Sequence, residues 1–107
     1  MPQREIKFRA WNKNVGTMTT SIWPSLSQFK SEDKEHVFMQ FTGLLDKNGK
    51  EIFEGDIVRY FVNGMEIIDK VIWIMGFFAV SKYCGQIISF NPIEVIGNIY
   101  ENPGLLK

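Results

Sequence analysis

The sequence predicts an all-β protein. Three observations lead there: polar and apolar residues alternate cleanly over Glu5–Trp11, short β-branched and aromatic runs recur after residue 50, and Gly or Asn-Gly separates those runs. A chain of 107 residues suits one hydrophobic core, so residues 1–107 read as a single domain. Within it, residues 1–50 form an N-terminal β-hairpin and loop region, and residues 51–100 form a barrel-like subdomain.

The first strand places Ile6, Phe8 and Ala10 on one face and Glu5, Lys7, Arg9 and Trp11 on the other, the period of a half-buried strand. Asn12–Gly16 is turn chemistry, because Asn and Gly tolerate positive φ, and Thr17–Thr20 returns as the hairpin partner. Pro24 fits the first turn of a short helix carrying Leu26 and Phe29, followed by a polar excursion to His36. Val37–Phe41 resumes strand character before Thr42-Gly43. Asp46–Gly49 then turns the chain into Glu51–Phe53 as a second hairpin.

Glu54-Gly55-Asp56 reads as a tight turn feeding the next strand, with Gly supplying the bend and Asp able to bond backbone N–H groups two residues on. Ile57–Val62 and Met65–Trp73 flank Asn63-Gly64, the strongest two-residue hairpin signal. Gly76 and Gly85 divide off Phe77–Lys82 and Gln86–Phe90. Ile93–Tyr100 closes the series, with Gly97 suited to a bulge or a close backbone approach. Five strands over 51–100 fit a small SH3-like barrel. Taken as one run, Val71–Val80 turns Ile72, Ile74, Phe78 and Val80 one way and Val71, Trp73, Met75, Phe77 and Ala79 the other. Neither face is polar, so one needs cover from the N-terminal half or from a second copy.

Twelve basic and twelve acidic residues cancel, which removes the overall positive field of a dedicated nucleic-acid binder. Residues 1–50 carry eight Lys/Arg against five Asp/Glu, and residues 51–107 four against seven, a split of +3 and −3. One cysteine, Cys84, leaves no internal disulfide, which suits a reducing, cytoplasmic setting in a host cell. The longest apolar run, Val71–Val80, is too short to span a bilayer as a helix, so no membrane partner is expected.

Three segments then stand out together: REIKFRAWNKNVGTM at Arg4–Met18, MQFTGLLDKNGKEIFEGDIVRY at Met39–Tyr60, and IEVIGNIYENPGLL at Ile93–Leu106. In sequence and order they resemble the YopX family of phage and prophage proteins; Asn12 departs from it, standing where the family usually has an acidic residue. The resemblance implies a phage or prophage origin and a β-rich fold, and it carries no established activity and no agreed catalytic residues.

Candidate sites are few. Lys7, Arg9 and Trp11 share a strand face, and charge beside a stacking ring is how sequence-tolerant nucleic-acid binding is built; a solvated outer face explains the same pattern. Asp46, Glu54 and Asp56, with Glu51 nearby, sit in turns that could converge on Mg²⁺ for phosphodiester cleavage, yet Asp46 and Asp56 each have a turn to stabilise. Gly43–Lys50 superficially matches a phosphate loop but has five residues between its glycines and Glu51 where a hydroxyl is needed. His36 and Cys84 are single, so neither a zinc cage nor a Cys-His pair backed by a second histidine can form within one chain. Tyr60, Trp73, Phe77, Phe78, Tyr83 and Phe90 could line a groove, although most are needed as core.

No coherent catalytic set emerges, and no cofactor is expected. The sequence favours a non-enzymatic binding module whose partner is a protein, with nucleic acid a second possibility, self-association a third expectation, and a small metal-dependent nuclease the alternative from another class.

Overall fold

The computed structural model describes residues 7–19, 35–83, 85–87 and 92–106, and almost all of them lie in strands or tight turns. The strands are β1 Phe8–Asn12, β2 Thr17–Thr19, β3 His36–Leu45, β4 Glu51–Phe53, β5 Asp56–Val62, β6 Met65–Ile74, β7 Phe77–Val80, β8 Gly85–Gln86 and β9 Glu94–Asn98. A 3-10 turn, Pro103–Leu106, follows. The protein is all-β. The helix expected after Pro24, and Cys84 and Phe90, lie outside the described residues.

Two sheets form, ordered β2-β1-β3-β4 and β8-β7-β6-β5-β9. The second is the expected five-stranded unit, but it starts at Asp56 rather than Glu51: β4 pairs with β3, and the short β8 supplies the fifth strand. It curls into a half-barrel, and among the described residues no ladder joins β8 to β9. Thr42-Gly43 does not end β3. The strand bulges there, taking four steps from Phe41 to Leu45 against two along β4, with Gly43 at φ +87°.

Each hairpin has a local cause. Asn12 Oδ1 accepts the Asn14 and Val15 N–H groups at 2.9 and 3.0 Å, closing the turn between β1 and β2. Asn63 and Gly64 take φ +51° and +80°, as a two-residue turn requires. The chain reverses again at Met75-Gly76, with φ +52° and +87°, so Gly76 is half of a second two-residue turn rather than a divider. This corrects the one-run assignment of faces: Val71 lies opposite Val80, and Trp73 opposite Phe78.

Paired residues share a face. Val58, Tyr60, Val71, Phe78 and Val80 therefore point together and meet Ile52 of β4 with Ile87, Ile93 and Val95 as one core. β9 bulges against β5, where Ile57↔Gly97 is followed by Val58↔Val95. A Cβ on Gly97 would stand 2.6 Å from Asn102 Oδ1, so the close approach expected there is present.

Candidate functional site

The two sheets meet at a polar seam that contains most of the charged residues singled out in the sequence. Arg9, 8% exposed, donates from Nη2 to Asp56 Oδ1 at 2.8 Å and to the Glu54 carbonyl at 3.3 Å, and its guanidinium lies 4.7 Å from the Phe53 ring centre. The expectation of a solvated outer face fails for Arg9, because the face it shares with Lys7 and Trp11 turns inward onto Phe41, Phe53 and Tyr100. Lys7 pairs with Glu51 and sits over Phe41. Trp11 stacks on Tyr100 with ring centres 5.8 Å apart.

The carboxylates have separate tasks. Asp56 Oδ2 accepts the Phe53 N–H at 2.7 Å, three residues back rather than two residues on. Burial pushes its carboxyl above the ordinary range, against the pull of Arg9 and of that N–H. Asp46 Oδ1 accepts Asn48 and Lys50 N–H groups at 2.8 Å each, and Oδ2 accepts Val95 N–H at 2.9 Å, which ties the turn to β9. Burial alone would raise Asp46, but three backbone donors outweigh it and hold the carboxyl below its usual value. The Glu54 side chain accepts the Gln40 N–H at 3.5 Å. Among the described residues no three His, Cys, Asp or Glu side chains gather into a cation site.

A third buried carboxylate was not anticipated. Asp69, 1% exposed, accepts the Tyr60 hydroxyl at 2.7 Å and the Lys70 and Lys82 N–H groups at 2.8 Å. Burial, followed by that bond to Asp69, pushes the Tyr60 hydroxyl strongly upward. The group locks the turn after β7 onto β6.

Open surface lies instead around Trp73. Alternation puts this ring on the core face, yet it is 51% exposed, because β6 outruns the strand that would cover it. The β5 ladder stops at Ile57↔Lys70, and the last bond on that side runs from Gly55 N to Val71 O at 2.9 Å. Gly55 bends the chain away at φ +87°, where a Cβ would come within 2.9 Å of Met39 Sδ. Beyond the bend lies a groove of about 310 Å³ between β3 and β6, lined by Val37, Phe38, Lys70, Trp73, Ile99 and Tyr100 among others. Trp73 also borders a second recess of about 220 Å³ with Leu44, Phe77, Phe78 and Ile87. Its ring is held edge-on to Phe78 at 4.7 Å. Of the aromatic set named from the sequence, Tyr60 and Phe78 are buried while Trp73 and Tyr83 are exposed. Trp11 and Tyr100, outside that set, support the groove from the far side.

No curated protein matches the sequence. The fold matches the crystal structure of protein EF1440 from Enterococcus faecalis, with a TM-score of 0.71 and 27% identity over 98% of this chain and 100% of that one. The family profile described as YopX protein matches residues 20–107, which contain the middle and final segments of the resemblance. The chain belongs to the YopX family.

Proposed function

We propose that this chain is a non-enzymatic phage or prophage accessory protein of the host cytoplasm that acts by binding another protein. The observation that carries this reading is Trp73, half exposed between two recesses on an otherwise well-filled half-barrel. Large aromatic rings in partly desolvated recesses are the usual anchors of protein recognition. The strand order β9-β5-β6-β7-β8 is in keeping with an SH3-like barrel whose open end carries that ring. The catalytic alternative draws little support from the charged residues, since Arg9, Asp46 and Asp56 are spent on one another and on backbone groups.

The test is capture from nuclease-treated lysate of infected host cells, comparing the native chain with Trp73→Ala. A protein retained by the native chain and lost with Trp73→Ala supports the reading. Equal capture by both overturns the Trp73 site. Plasmid or single-strand cleavage with Mg²⁺ or Mn²⁺ that disappears in folded Asp46→Ala overturns the non-enzymatic reading. Capture only before nuclease treatment assigns the partner to nucleic acid, and Lys7 and Trp11 then become the positions to vary.

A further inference from the structure

We propose that the partner is an extended polypeptide segment that adds as a strand to the edge of β6 at Trp73, in the place β5 vacates at Gly55. The inference rests on the protein-binding reading above and names the chemistry of that partner. In an antiparallel ladder, successive residues alternate between those bonded to the neighbouring strand and those whose N–H and C=O point to the other side. Ser81 N donates to Lys70 O at 3.0 Å, so Lys70, Ile72 and Ile74 are the positions bonded toward β7 and its turn. Val71 and Trp73 have the opposite phase, and Gly55 N indeed reaches Val71 O from the far side. One step on, past the bend, the Trp73 N–H and C=O point into the groove with no strand beside them among the described residues.

The bend also sets the width of the slot. Glu54 N donates to Gln40 O of β3 and the next amide, Gly55 N, to Val71 O of β6, both at 2.9 Å. The Glu54-Gly55 turn is thus hydrogen-bonded to both walls, which brings β3 and β6 there within reach of a single intervening chain. The groove continues that gap toward Val37, Phe38 and Trp73.

Charge names the occupant further. Lys70 lines the groove and makes no ion pair among the described residues, while the Glu54 carboxylate, in the turn at the end of the groove, accepts the Gln40 N–H. Trp73 and Lys70 lie on opposite faces of β6, so the complement is an alternating segment with apolar residues beside Trp73 and an acid on the Lys70 side.

The probes are two synthetic pools of alternating valine-polar peptides of about ten residues, one with a central aspartate and one with lysine in its place. With the native chain, the aspartate pool binds and slows exchange of the Trp73 amide by about tenfold or more. Methylating the peptide's backbone nitrogens abolishes binding, and Lys70→Glu transfers the preference to the lysine pool. Binding that leaves Trp73 amide exchange unchanged overturns strand addition while the Trp73 recess stands as a protein site. Binding no tighter than about 1 mM for either pool overturns it as well. A concentration-dependent dimer in sedimentation that protects this amide without peptide assigns the edge to a second copy and overturns the external partner. Equal capture by the native chain and Trp73→Ala is the separate result that removes the underlying reading.

Discussion

The seam between the two sheets and the hairpin arm at the end of β6 invert the usual distribution of side chains. At the seam, Arg9, Asp46 and Asp56 are buried; on the arm, Trp73 and Met75 are exposed, the latter at 89%. The carboxylates are tolerable inside the seam because both are satisfied, Asp56 by Arg9 and Phe53 and Asp46 by three backbone donors, whereas Arg9 Nε is left without a partner among the described residues. The backbone of the apolar arm is held by the ladder between β6 and β7, which does not require its side chains to be buried.

Arg9→Ala is the most direct way to break that contrast. It leaves Asp56 charged, buried and unpaired, and should cost about 3–5 kcal/mol in chemical denaturation. A loss below about 1 kcal/mol would class the pair with surface ion pairs and remove the seam's special status. Asp46→Asn comes next, at about 1–3 kcal/mol near neutral pH, because Val95, Lys50 and Asn48 lose a charged acceptor.

The same variant sharpens the contrast through pH. Asp46 has a folded-state value below its ordinary 3.8, so its contribution is complete above that value and is lost as pH falls below it toward the folded value. Asp56 has the opposite sign: its raised value makes its contribution shrink as pH rises from 3.8 through the folded value. Unfolding curves across the acid range should therefore flatten below pH 3.8 in Asp46→Asn relative to the native chain. An unchanged acid limb would show that Asp46 carries no such linkage.

On the arm, Trp73→Ala should cost only about 1 kcal/mol, the worth of the edge contact with Phe78, against about 3–5 for truncating a buried aromatic. The smallest effect is a gain. Met75 holds a left-handed backbone at φ +52° that Asn adopts more readily, so Met75→Asn should stabilise the fold by about 0.5–1 kcal/mol in thermal unfolding. No gain would mean that the ladder between β6 and β7, rather than the turn residue, sets that conformation.

The turns at the two ends of β6 show how legible the fold was. Asn63-Gly64 announces its hairpin because both residue types accept positive φ without help. Met75-Gly76 adopts the same geometry, but Met has no such preference, and cross-strand pairing of Trp73 with Phe78 imposes it. The β3–β4 hairpin was legible for the same local reason as Asn63-Gly64: Asp46–Gly49 turns the chain into Glu51–Phe53, and only the bulge at Thr42-Gly43 that lengthens β3 to Leu45 was not read. For the site, the sequence named Trp73 as one aromatic among six, and alternation left open which of the two apolar faces of Val71–Val80 would be covered.

Local chemistry, then, determined the all-β class, most of the turns and the identity of the residues that would carry charge, because period-two alternation and positive-φ residue types act over a few neighbours. The YopX resemblance was legible for the same reason, since its motifs are runs of turn and strand residues. Which charges would be buried, and which aromatic ring would be left uncovered, was settled only in three dimensions. Arg9 is buried because Asp56 arrives 47 residues later to meet it. Trp73 is open because Gly55 turns β5 aside one position before it would have covered that edge. Pairing between distant strands follows the sum of all their contacts, and no short stretch of sequence contains that sum.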